Sequence, residues 1–317
     1  MRLRFFAGIL MVASAANLAA QAAQGPPGWK VRPSILGISH IAIYTSNAAA
    51  TEHFYTVTLG AVKAPDPENP QGVRYMIGDK QFVEVLPLPT NAGINRLDHV
   101  AFYVGWPGVE AMRKFLKAKG WDVPDKVTKN PDNTIHFEVL DPEGNKIEFT
   151  APLVFAQVNP PNIIGHHVIH VGFLVHDRAK EDTFYRGLLG FVPYWYGGMQ
   201  DDKIDWVSQQ VPNGRDWLEY MLSGGPGLGI PPDMTQNRLG VLNHFAIGEN
   251  SVDDALATLQ QGGRLDGVRA DKATKIGRDG KGQLNVYDPD GTRVELMNFH
   301  ATEKPCCSPF TAQDPAR

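Results

Sequence analysis

An α+β fold assembled from four similar units is predicted by three observations. The stretches Asp141-Pro142-Glu143-Gly144-Asn145-Lys146-Ile147-Glu148 and Asp288-Pro289-Asp290-Gly291-Thr292-Arg293-Val294-Glu295 nearly repeat each other, each reading as a tight turn that feeds a strand carrying one carboxylate. A histidine recurs near the start of four short β-type segments, as His40, His99, His170 and His244. Phe184-Tyr185 follows His170 by 14 residues, as Phe54-Tyr55 follows His40. Each unit reads strand, helix, then two or three more strands, giving four β-α-β-β-β modules. One unit of roughly 50 to 60 residues buries too little surface to stand alone. The first two are therefore expected to share one core and the last two another.

Taken in order, the first strand is Ile38–Tyr44, whose alternation places His40, Ala42 and Tyr44 on one face and Ile41 and Ile43 on the other. A helix from Ala48 to Leu59 follows and is stopped by Gly60. Lys80–Leu86 is a strand with Glu84 on the face opposite Val83 and Val85. The second unit opens at Leu97–Phe102. Its helix, about Gly108 to Ala118, carries the apolar stripe Val109, Met112, Phe115 and Leu116 and ends at Gly120. Strands at Thr134–Leu140 and Asn145–Thr150 are joined by the Asp-Pro-Glu-Gly turn.

The pattern restarts after a linker at Ala151–Ile164. His170–Val175 echoes the His40 strand, and Asp216–Met221 echoes the Glu84 strand. Leu242–Ile247 opens the fourth unit, whose helix has Ser251 as N-cap and Val252, Ala255, Leu256 and Leu259 along one side. The divisions read from this pattern are a leader at 1–22, a first domain at 36–153, a second at 165–300 and a tail at 301–317.

The leader combines basic Arg2 and Arg4, an apolar run from about Phe5 to Ala15 and the small-residue pattern Ala20-Gln21-Ala22. It is too short for a membrane span and has the form of an export signal, so the periplasm or the cell exterior is expected. Removing it leaves about 295 residues without a membrane-spanning segment, enough for two domains with cores of their own. The formal charge of -4 becomes about -6 without a basic block, which excludes wrapping a nucleic acid. A monomer and a homodimer both stay open. Cys306 and Cys307, the only cysteines, are adjacent in a Pro-rich surface tail. A mutual bridge, an intermolecular pair and two free thiols are all compatible with that placement, and no disulfide framework braces the fold.

The equivalent positions of the two halves carry His40, Glu84, His99 and Glu148, and His170, Glu219, His244 and Glu295. Taken singly, His40 suits a hydrogen-bonded packing residue and Glu148 a solvated one. The same residue types at four equivalent places in both halves point instead to a metal site, because inward carboxylates are costly unless solvated, protonated or neutralised. Two neutral imidazoles and two carboxylates balance a divalent ion and leave two positions on an octahedral one for water or a bidentate substrate. Fe, Mn, Zn, Ni and Co all accept such donors. His53, His136, His166 and His167 fall outside this register. The aromatic strip Phe191–Tyr196, with Trp206 and Trp217, suits either a hydrophobic substrate pocket or a sheet core and domain interface.

With these residues placed, the sequence resembles the vicinal oxygen chelate superfamily, which includes glyoxalase I, bleomycin-resistance proteins and extradiol dioxygenases. The strand-opening histidines, the pairs Phe54-Tyr55 to Leu59-Gly60 and Phe184-Tyr185 to Leu189-Gly190, and the Asp-Pro-x-Gly turns carry the resemblance, over about residues 36 to 299. It implies paired modules curled into two partly open β-barrels. It also implies a divalent-metal enzyme of lyase or isomerase type acting on a small substrate with adjacent oxygens. In that chemistry Glu148 or Glu295 moves a proton from carbon, and Glu84 or Glu219 acts from the other side. A ring-cleaving dioxygenase is the alternative, with His170, His244 and Glu295 as ligands; a protein that binds a small molecule without turnover is another. Export and the lack of a basic cluster for glutathione argue against glyoxalase I itself.

Overall fold

Two open sheets, each built by pairing two strand-helix-strand units, organise the molecule. A computed structural model describes residues 31–92, 95–152, 158, 160–223 and 242–315; the leader read at 1–22 and part of the linker lie outside them. In the first half the strands are β1 (Ile35–Thr45), β2 (Val62–Pro65), β3 (Val73–Met76), β4 (Phe82–Pro87), β5 (Leu97–Val104), β6 (Thr128–Lys129), β7 (Ile135–Leu140) and β8 (Lys146–Thr150). Their order is β2-β3-β4-β1-β5-β8-β7-β6. The second half has β9 (Val168–Val175), β10 (Val192–Gly197), β11 (Trp206–Gln210), β12 (Trp217–Leu222), β13 (Leu242–Glu249), β14 (Arg269–Ala270), β15 (Lys275–Ile276), β16 (Gly282–Tyr287) and β17 (Arg293–Asn298). Their order is β10-β11-β12-β9-β13-β17-β16-β14, with β15 on β16. Neither sheet closes into a true barrel. Both have the expected α+β composition.

The helices α1 (Ala48–His53), α2 (Val109–Ala118), α3 (Arg178–Asp182) and α4 (Val252–Gln261) follow the first strand of each unit. Asn47 and Asp177 cap α1 and α3 through Ala50 N and Lys180 N. The sequence predicts one continuous α-helix from Ala48 to Leu59. Instead α1 passes into a π-helical turn at Phe54–Thr58, and α3 does the same at Thr183–Leu188. The wider turn buries both aromatic neighbours of each pair, Phe54 with Tyr55 and Phe184 with Tyr185. Gly60 then ends the element at φ 79°. A β-carbon there would lie 2.2 Å from Asn162 O, so glycine is required twice over. Along α2 and α4 the predicted stripes are buried, apart from the partly exposed Leu256.

Separate cores were expected for the two halves. Residues from Pro33 onward instead form one compact unit, and a single apolar cluster runs from Ile41, Ile43 and Phe102 to Val171, Phe173 and Phe245. Rings from opposite halves touch within it, Phe102 with Phe191 at 5.4 Å and Trp121 with Phe184 at 4.7 Å. The halves merge where Phe184 of the second π-helical turn and Phe191 after it pack against Trp121 and Phe102 of the first half.

Polar contacts across the junction are reciprocal. Asp216 Oδ2 accepts from Ile38 N of β1 (2.8 Å), while Gln81 Oε1 accepts from Val168 N of β9 (2.8 Å). Each Asp-Pro-x-Gly turn reaches the opposite half. Glu143 Oε1 accepts from the amides of His176 and Asp177 at 2.7 and 2.6 Å. Asp290 Oδ2 accepts from Ser46 N and Thr45 Oγ1, both at 3.0 Å. Thus the repeated motif that shapes each carboxylate strand also clasps the halves together.

The tail is more firmly seated than a loose surface segment. Thr311 N donates to Tyr194 O (2.9 Å) and Trp195 Nε1 to Cys306 O (3.2 Å). Fully buried Lys281 donates to Asp314 Oδ1 at 2.7 Å. Of the three cysteine states left open by the sequence, the mutual Cys306–Cys307 bridge is the one present.

Candidate metal centres

Small residues at the centre of each sheet make room for the converging side chains. Ala42 pairs with Glu84 on one side and His99 on the other, and Ala101 pairs with His40 and Glu148. In the second sheet Gly172 pairs with Glu219 and His244, and Ala246 with His170 and Glu295. The local rule is a small residue two positions after each histidine, which the sequence displays four times. At Gly172 the approach is close, since a β-carbon would lie 2.3 Å from the His244 ring as it stands.

In the first half His40 Nε2 and His99 Nε2 are 3.0 Å apart. Glu84 Oε2 lies 3.8 and 3.7 Å from them, and Glu148 Oε2 lies 3.9 and 3.3 Å. All four residues are at most 3 % exposed. The second half repeats the arrangement, with His170 Nε2 and His244 Nε2 at 2.8 Å. Glu295 Oε2 is 3.5 and 3.7 Å from these nitrogens, and Glu219 Oε2 is 3.4 Å from His244. The structure therefore brings all eight sequence-identified side chains into two clusters. An aromatic residue two positions before one carboxylate stacks on a histidine in each half, Phe82 on His40 at 4.3 Å and Trp217 on His170 at 4.5 Å.

Both clusters fit a divalent ion. Glu84 Oε2 and both oxygens of Glu148 are buried with no hydrogen-bond partner among the described residues, a costly state for carboxylates. Paired Nε2 atoms facing one centre are explained by lone pairs directed at a cation. A hydrogen bond behind His99 favours that tautomer, its Nδ1 contacting Asp98 Oδ2 at 2.7 Å, whereas His244 Nδ1 meets both Asn243 Oδ1 at 2.9 Å and the Arg293 guanidinium, a donor, at 2.8 Å. Lys146 supports Asp98 at 2.9 Å and Arg293 supports Asn243 at 2.6 Å.

This exchange of carboxylate for amide changes the electrostatics. Burial opposes charge on His99, but Asp98 and Glu148 prevail and raise its pKa well above the usual histidine range. Burial, reinforced by Arg293 and His170, holds His244 far below it. Burial likewise lowers His40 and His170. Among the carboxyls, burial pushes Glu84 up to about 10, Glu219 to about 8 and Glu295 to about 7. Glu148 is driven the other way because the His40 and His99 rings outweigh its burial.

The surroundings differ more than the ligands. A cavity of about 330 Å³ opens onto His170, Glu219, His244 and Glu295, with Tyr194, Trp195, Trp206 and Trp217 among its walls. The aromatic strip thus serves both uses allowed by the sequence: Tyr194 and Trp195 line this cavity, while Phe191 packs between the halves. Opposite Glu219 across β11 and β12 stands Ser208, whose Oγ donates to Glu219 Oε1 at 3.1 Å. The matching position opposite Glu84 is Arg74, held by Asp66 at 3.0 Å and Glu68 at 3.3 Å, with its guanidinium 4.3 Å above the Phe82 ring.

Glu68 was not singled out from the sequence. It comes from the β2–β3 connection, has no counterpart in the repeat and lies within ligand distance of His40 and Glu148. His136, outside the repeat register, is buried and reaches Glu68 at 3.3 Å. His53 and His166 are exposed, and His167 binds Asp216 at 2.7 Å.

The sequence matches the family described as the Glyoxalase/Bleomycin resistance protein/Dioxygenase superfamily over residues 37–149 and 158–296. No curated protein matches it. Among solved structures, the 2,3-dioxygenase LapB from Pseudomonas sp. KL28 aligns with TM-score 0.62 and 14% identity, over 87% of this chain and 97% of its own. A Mn(II)-bound glyoxalase from Novosphingobium aromaticivorans aligns with TM-score 0.63 and 15% identity, over 87% and 86%. The homoprotocatechuate 2,3-dioxygenase from Brevibacterium fuscum, in complex with 3,4-dihydroxyphenylacetate, aligns with TM-score 0.61 and 16% identity, over 90% and 92%. At these identities the likeness is one of fold.

Proposed function

Because the chain belongs to the glyoxalase/bleomycin resistance protein/dioxygenase superfamily, we propose that it is a divalent-metal-dependent enzyme whose second half binds a small aromatic compound with adjacent oxygens and opens its ring with dioxygen. The supporting observation is the cavity that joins His170, Glu219, His244 and Glu295 to walls of Tyr194, Trp195, Trp206 and Trp217. The recurrence of extradiol dioxygenases among structures of like fold favours ring cleavage over the lyase or isomerase chemistry expected first.

His170, His244 and Glu295 would hold the ion, with Glu219 as a fourth donor or a base beside it. An Fe or Mn ion, when bound, supplies the positive charge that grips neighbouring substrate oxygens and lowers the cost of negative charge on them. The indoles and Tyr194 orient a flat ring and exclude water. Glu219, fixed through one oxygen by Ser208, is placed to accept a proton from a substrate hydroxyl. The export-type sequence of residues 1–22 supports a location in the periplasm or outside the cell.

A lyase or isomerase reading keeps one specific support: four donors, rather than three, converge in the second half. The deciding experiment loads purified protein with Fe(II) or Mn(II), supplies simple catechols and follows oxygen with an electrode. Uptake matching diol consumption is the expected result. Proton exchange from an α-hydroxyketone into heavy water without oxygen uptake would establish the other reading. Tight capture with neither reaction would make the protein a sequestering one.

A further inference from the structure

We propose that the first half holds a second divalent cation in a closed, structural site, with Glu68 as a fifth protein donor. The donors come from four strands and one loop: His40 of β1, Glu84 of β4, His99 of β5, Glu148 of β8 and Glu68 between β2 and β3. Candidate ligand atoms of His40, Glu84 and His99 lie within 4.8 Å of one another, as do those of His40, Glu68 and Glu148. Glu148 is 0 % exposed and Glu84 1 %. Three of their oxygens have no hydrogen-bond partner among the described residues, and two of these, Glu84 Oε2 and Glu148 Oε2, face the same two Nε2 nitrogens at 3.3 to 3.9 Å. One divalent ion takes such carboxylate oxygens and the two ring nitrogens as donors together.

Closure follows from what surrounds the donors. Glu68 is fixed by Arg74 (3.3 Å), Asn130 (3.5 Å) and His136 (3.3 Å). Arg74 is itself buried, paired with Asp66 and laid over the Phe82 ring that stacks on His40. The second half has Ser208 at the Arg74 position, and its cavity reaches both Ser208 and the ligands. Catalytic sites keep an open coordination position and structural ones fill it with protein. By that criterion the second cluster is the working centre, and the first is an internal cross-link joining β1, β4, β5 and β8 to the Glu68 loop.

This inference is independent of the reaction assigned to the second half, and metal counting separates the two. Mn(II)-loaded full-length protein is dialysed, counted by mass spectrometry and melted, then compared with His40→Ala, Glu68→Gln and His170→Ala variants. Two ions per chain are expected. Loss of one ion with a lower Tm in His40→Ala, and at least tenfold weaker retention of one ion against a competing chelator in Glu68→Gln, support the proposal. Glu68→Gln keeps the loop's shape and covers the case in which His40→Ala does not fold. Addition of 4-nitrocatechol should change the Mn(II) EPR signal that His170→Ala removes and leave the other unchanged. A count that neither His40→Ala nor Glu68→Gln alters, or a catechol effect on the first-half signal, overturns the inference. A count unaffected by His170→Ala would instead remove the basis for the second-half enzyme.

Discussion

A single β-carbon separates the two clusters, for Ala42 in the first stands where the second has Gly172. Gly172 lies against the His244 ring, so Gly172→Ala should displace that imidazole and cost the second-half ion at least tenfold in affinity, read by metal titration. His170→Ala or Glu295→Gln should reduce turnover by at least about a hundredfold. Ser208→Arg copies the first half's Arg74 into the cavity; the expected result is a tenfold or greater rise in KM for a catechol with metal content kept. The convergence of the eight imidazole and carboxyl side chains was legible because each residue type recurs in register after a recognisable strand start. Glu68, Arg74 and Ser208 were not, because the two halves differ there and repetition offers no signal. Their roles depend on the space that Arg fills and Ser leaves open.

Secondary elements show how far periodicity carries. Long strands such as β1, β5, β9 and β13 and the stripes of α2 and α4 have enough alternation or helical spacing to be placed from residues alone. Two-residue strands such as β6, β14 and β15 have none, and sheet contacts alone define them. The π-helical turns were hidden because an extra residue changes the hydrogen bonding without changing which aromatic side chains are apolar. The Asp-Pro-x-Gly turns add a pH response. Burial, then Asp290, pushes Asp288 up to about 7 despite the Thr292 amide, whereas an unfolded aspartate titrates near 4. Between those values the folded chain binds the extra proton, so this group's stabilisation is fully present at low pH and is lost as pH rises through about 7. Asp288→Asn should flatten that part of the Tm–pH curve, measured by scanning calorimetry. The tail contributes separately: Asp314→Asn removes the carboxylate paired with buried Lys281 while leaving the segment in place. An unpaired buried charge costs roughly 3–5 kcal/mol, so Tm should fall by several degrees.

At the scale of the molecule, the four-unit α+β architecture was legible in the repeat, but the joining of two expected cores into one was not. That union depends on which aromatic side chains cross the junction, as Phe184 and Phe191 do to Trp121 and Phe102, and sequence spacing does not contain this information. The same junction has a consequence for the chain's continuity. Asp290 and Glu143 grip the opposite half in the same manner, as do Asp216 and Gln81. Such mirrored grips are those of a twofold axis, and they do not require the covalent link from Thr150 to Val168. A protease site inserted there should yield two fragments that co-elute and melt together. With every grip returned in kind, each half carries the full means of recognising the other, and the peptide between them serves as a tether.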